Sequence, residues 1–221
     1  MSLNPRKTIW APVLVLGGLW GLAEAGLGMY LRQCASTVSG SLMTGAALFF
    51  LAAAWALAPG VRTVAAMVAM AASFKLFDAL LLGLPVRHGA VANPVFAILM
   101  EGAAFFLIAS VLRRDLSAKP LGRGLAGGLS ALIAVNVFPL VGFATGIAAC
   151  KVPGTAVPLS LYYAPIAVAF SALTVPAGAC LGSKAAAAEV RLAPIGVARL
   201  RWAGPAAFLL CLAALTLLRL I

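Results

Sequence analysis

Long apolar runs alternate with short polar breaks along this chain, and the length of the runs decides its secondary structure. Stretches of about 20 apolar residues, enough for a helix to cross ~30 Å of hydrocarbon, fall at Thr8–Leu31, Ser41–Ala58, Val61–Leu82, Pro94–Leu112, Arg123–Ile147, Pro158–Leu181 and Trp202–Leu220. Lipid offers no partner to an open backbone N–H or C=O, so each run is predicted to be an α-helix. Apart from 182–201 the breaks are short, which makes consecutive spans antiparallel neighbours. The pattern predicts an all-α polytopic membrane protein: one domain, residues 1–221, built as a compact bundle of six to seven transmembrane helices.

Composition excludes the soluble alternatives, because 64% of the 221 residues are hydrophobic and only 10% are charged. A net charge of +11 would suggest a nucleic-acid partner in a soluble protein. Here its distribution reads as topology, and no nucleic acid is implied. With a cytoplasmic N-terminus, eleven Lys and Arg fall on the inner side, and four, Arg32, Arg87, Lys151 and Arg219, on the outer side. That is the positive-inside bias, and it places the C-terminus outside. The first run is long and is followed directly by further spans, so it is expected to act as a signal anchor.

Against this apolar background the acidic residues stand out. Glu24, Asp78 and Glu101 lie inside apolar runs, where an ionisable group costs on the order of 2.5–3.5 kcal/mol at mid-helix and is a functional-site hypothesis by default. Helix rise sets their depth. Glu24 lies roughly 24 Å up the first span, Lys75 and Asp78 roughly 21–25 Å up the third, and Glu101 roughly 10–12 Å below the outer surface on the fourth, which begins near Asn93. Asn136 lies roughly 18–20 Å up the fifth. All are expected in one outer layer.

Within that layer Lys75 and Asp78 are one turn apart and can neutralise each other. Glu24 and Glu101 then remain, leaving the cluster formally at minus two. Either burial keeps them protonated, or a bound cation, a proton in transit, or Arg87 and His88 reaching down from the outer loop compensates them. The bland alternative is a polar network that fixes helix register with no ligand. His88 reads first as a solvated loop histidine, and Tyr162 and Tyr163 as part of an interfacial aromatic belt.

On the first span Gly17, Gly21, Glu24 and Gly28 fall within about 60° of one another, a small-residue face suited to close helix packing. The four cysteines show no metal or redox spacing. Cys34 and Cys150 both fall on the outer side, where a disulfide between them is conceivable if that face is oxidising. No nucleophile elbow, HExxH or CxxC motif occurs, and no histidine lies in a span. No catalytic, metal or cofactor site is read.

The segments Trp20–Gly28, Lys75-Leu76-Phe77-Asp78 and Asn93–Glu101 resemble a pattern in small prokaryotic membrane proteins whose build is similar to the substrate-binding S components of energy-coupling factor transporters. The resemblance covers the first four spans. It implies a helical bundle in a prokaryotic cytoplasmic (inner) membrane that captures a small molecule or cation from outside. It also implies a membrane scaffold subunit and ATPases as partners, with Gly17, Gly21 and Ala25 on the scaffold face and the outer polar cluster as ligand site. The seventh span departs from that family, and so does the lack of the N-terminal histidine expected of its cobalt and nickel members. The alternative expectation is a non-catalytic accessory subunit of a larger membrane complex. Carriage by this chain alone ranks lower, because the inner half offers almost no polar side chains to line a path.

Overall fold

The computed structural model describes residues 10–30, 36–112 and 119–220, with the side chains of 10, 12, 27–30, 36–37 and 189–201 left aside. Its helices are α1 (Trp10–Tyr30), α2 (Ser36–Leu57), α3 (Val61–Leu81), α4 (Gly89–Val111), α5 (Pro120–Val137), α6 (Val141–Thr145) and α7 (Leu159–Leu220), with a 3₁₀ turn at Phe138–Leu140. Among the described residues six helical stretches are long and apolar enough to cross a membrane, among them Trp202–Leu220. The exception is α1, a 21-residue helix whose described apolar stretch is the shorter Val13–Gly26. The chain is a multi-pass membrane protein.

The helical run α7 contains two spans, Leu159–Ala188 and Trp202–Leu220. Their neighbours show that they run in opposite directions. Tyr163 lies against Gly40 and Gly182 against Ala53, following α2 from its beginning toward its end. Gly204 lies against Ala11, and Arg219 reaches the carbonyl of Ala25, following α1 from beginning toward end. Since α1 and α2 are antiparallel neighbours, the turn back lies between Ala188 and Trp202. Both ends of α7 therefore reach the end of the bundle that carries the 82–88 connection, called outer here after the charge bias.

Close packing rests on glycines, as expected where lipid removes the hydrophobic drive between helices. Gly178 and Gly182 sit directly on the backbone carbonyls of Phe49 and Ala53, and Gly127 on that of Ser171, so a side chain at any of them has no room. The Thr174 hydroxyl donates to the Gly45 carbonyl at 2.8 Å and Ser41 to that of Tyr163 at 3.3 Å, tying α2 to α7. Trp20, Leu48, Leu51, Met67, Ile98 and Phe105 fill the centre.

Two helix limits differ from the sequence reading for local reasons. The fourth helix begins at Gly89, five residues before Pro94, because His88 caps it, and Pro94 then stands inside the helix at the loss of one backbone bond. The fifth ends at Val137, where Pro139 cannot continue the bonding. A short α6 follows and is closed by Gly146 in the left-handed conformation (φ 75°).

Candidate functional site

At the outer end, α1, α2, α3, α4 and the start of α7 surround a cavity of about 320 Å³. Glu24, Lys75, Asn93 and Glu101 line it, together with Ser160 and Tyr163. Four groups expected in one layer thus meet in one space. Phe138, Met43, Pro94, Ala97 and Leu159 give it apolar walls, and the exposed Cys150 lies at its rim. This volume is at the small end of ligand pockets, which run from about 300 to 1,000 Å³ and are mostly apolar with a few convergent polar groups.

Each polar group is placed by its helix. Glu24 is 8% exposed and accepts a hydrogen bond from Trp20 Nε1, one turn earlier on α1, at 3.3 Å. Glu101 is 4% exposed. Thr44 of α2 hydrogen-bonds its carboxyl, Glu24 is close enough to repel it, and its Oε2 has no partner. Asn93 Oδ1 and Ser160 Oγ are likewise buried without partners. Beside Asn93, Pro94 cannot donate the helical bond to the carbonyl of Ala90, four residues back. Buried polar atoms are ordinarily hydrogen-bonded. Three orphans lining one cavity are the chemical signature of this site.

Asp78 does not line the cavity. It is 1% exposed and is held from two sides, by Lys75 Nζ on Oδ2 at 3.1 Å and by Arg219 on Oδ1 at 2.5 Å. Arg219 also donates to the Ala25 carbonyl at 3.4 Å, so the last span is tied to α1 and α3 together. Arg219 brings in a second cation, changing the formal charge of the layer from minus two to minus one. Nothing in the sequence distinguished it from an arginine snorkelling to the interface at a helix end.

Two other residues expected in the cluster lie elsewhere. Asn136 is exposed and donates to the Leu132 carbonyl of its own helix at 2.7 Å, the back-bond typical of a short polar side chain on an apolar helix. Depth alone does not give azimuth. His88 is exposed and accepts from the Ala90 N–H through Nδ1 at 3.2 Å, so its role here is the cap of α4. Thr44, Ser160 and Tyr163 join the site although the sequence reading passed over the first two and assigned the third to the interfacial belt.

The glycine face of α1 packs within the chain. Gly17 receives the Met70 side chain and Gly21 the Phe74 ring, both from α3, and Ala25 is fully buried. The face that the resemblance assigns to a scaffold is thus covered within the chain, at Gly17 and Gly21 by α3 and at Ala25 by α3 together with the last span. The side chains around Gly28, and Cys34 with its pairing to Cys150, lie outside the described residues; Cys150 itself carries a free thiol.

Compared with family models, curated proteins and solved structures, the chain matches none. The functional reading rests on the cavity. Among the described residues no group of three or more His, Cys, Asp and Glu could hold a metal ion.

Proposed function

We propose that the chain is a membrane-embedded substrate-binding or transport subunit that takes a small molecule or cation from the outer face of a prokaryotic cytoplasmic membrane. The observation that carries the reading is Glu101, a carboxyl buried in the bundle, facing a cavity of about 320 Å³ with one oxygen unpartnered. A group left so costs on the order of 1–3 kcal/mol, more if charged, and a bound donor removes that cost. Glu24 and Asn93 share the wall and supply further acceptors. With no Walker motif in the chain, energy for uptake comes from partner ATPases, acting through a scaffold that docks elsewhere than on Gly17 and Gly21.

For Asp78 the structural reading is the better one. Two cations saturate it, and it ties three helices together.

The test is native mass spectrometry of the protein released from lipid nanodiscs, comparing wild type with Glu24→Gln and Glu101→Gln. Wild type should carry a small molecule at unit stoichiometry, and both variants should fold and lose it. Folded variants that retain the same adduct, or a wild type carrying only lipid, would sink the proposal.

A further inference from the structure

The charges around the cavity restrict what can occupy it. Asp78 neutralises one of its two cations, so Lys75, Asp78 and Arg219 together carry one positive charge into the outer layer. Lys75 is the member of that trio that lines the cavity, and its charge acts on Glu24, which lines it too. That single surplus charge answers one carboxylate. The other, on Glu101, has a hydroxyl from Thr44 on one side, the repelling Glu24 nearby, and nothing on Oε2. A buried carboxylate without a counter-charge is costly, and replacement of one charge by one charge is the balanced solution.

The unsatisfied atoms specify the form of that charge. Asn93 Oδ1 is a pure acceptor, Glu101 Oε2 is one when its carboxyl is ionised, and the Ser160 hydroxyl accepts as readily as it donates. They call for N–H donors on the occupant. A quaternary ammonium has none. A divalent metal would bring twice the required charge past the Lys75 ammonium, and only two carboxyls line the space for it. Much of the remaining lining is apolar, and it includes the aromatic residues Phe138 and Tyr163, a residue class that attracts cations.

Resting on the ligand-binding reading above, we infer that the cavity is a site for a monovalent organic ammonium, a primary or secondary amine on a compact apolar or aromatic body. Its N–H groups serve Glu101 Oε2 and Asn93 Oδ1, and Glu101 is its counter-ion. The surplus positive charge offsets that of Glu24, on which Lys75 acts through its field while paired with Asp78, so Glu24 shapes the site while Glu101 pairs with the ligand.

The experiment uses the full chain in nanodiscs and the intrinsic fluorescence of Trp20, whose indole is bonded to Glu24 beside the cavity. The probes are 2-phenylethylammonium, its N-trimethyl analogue, the neutral 2-phenylethanol, and calcium. The primary ammonium should bind saturably, and the trimethyl and alcohol analogues should bind at least about tenfold more weakly, the size of one charge-assisted hydrogen bond. Calcium should not compete. Glu101→Gln should weaken the ammonium by a similar factor and leave the alcohol unchanged. Ala97→Leu, which keeps every charge and fills the space, should abolish binding of both and covers the case in which the Glu101 variant does not fold. Equal affinity for ammonium and alcohol, or competition by calcium, overturns the ammonium assignment. If a co-purifying compound that is not an amine is lost from Ala97→Leu, the ligand-binding reading stands and this inference falls. If no compound co-purifies and no probe binds, both fall.

Discussion

Truncating Arg219 to leucine tests whether the last span is locked to the bundle by charge. In the folded chain Arg219 Nε and Nη2 both reach Asp78 Oδ1 at 2.5 Å, with the side chains 10% and 2% exposed. Removing one partner of a buried pair typically costs about 3–5 kcal/mol, because the other charge is left uncompensated. Here Lys75 remains 3.1 Å from the second oxygen of Asp78, so the expected loss is at the lower end, about 3 kcal/mol. For a chain of this size that corresponds to a fall in melting temperature of roughly 6–12 °C. The assay is a double-mutant cycle in one detergent: wild type, Arg219→Leu, Asp78→Asn and the double variant. The double variant should be less destabilised than the sum of the singles, with a coupling of about 1–3 kcal/mol. Additive losses, or a coupling below about 0.5 kcal/mol, would refute the claim that these two groups meet in the membrane.

Three further outcomes are expected. Glu24→Gln and Glu101→Gln should fold with melting temperatures no lower than wild type, because an amide removes the desolvation cost of a charge in lipid; a fall of more than about 1 kcal/mol would mean that these carboxyls hold the bundle together. Gly182→Leu should abolish the monodisperse size-exclusion peak, since Gly182 rests on the Ala53 carbonyl, whereas Gly146→Ala, in open space with φ 75°, should cost only about 1 kcal/mol of strain. In intact cells, and with Cys34 replaced by serine, a membrane-impermeant maleimide should label Cys150 and spare the buried Cys211. Labelling of Cys150 only after permeabilisation would invert the topology.

The layer of the site was legible in the sequence because two quantities suffice for it, span boundaries and helix rise. They brought Glu24, Lys75, Asn93 and Glu101 to one depth, and these four do meet at the cavity. What rise does not supply is the direction a side chain takes around its helix once neighbours are packed. Asn136 stands at the predicted depth and turns back onto Leu132. Asp78 turns away from the cavity toward Arg219, whose partner lies 141 positions earlier and is set by the turn back within α7. Hydroxyls such as Thr44 and Ser160 carry no desolvation alarm in a sequence, since serine and threonine in spans commonly bond their own backbone. That Gly17 and Gly21 of α1 receive Met70 and Phe74 of α3 follows from the tertiary arrangement alone.

The central claim, that the outer cavity exists to hold a ligand, is tested most directly by an experimental density map of the protein purified in nanodiscs with nothing added. Compact non-protein density is expected within hydrogen-bond distance of both Glu101 Oε2 and Asn93 Oδ1, absent from the map of Ala97→Leu. A wild-type map in which Glu101 and Asn93 bond each other or ordered water across a collapsed cavity would contradict it.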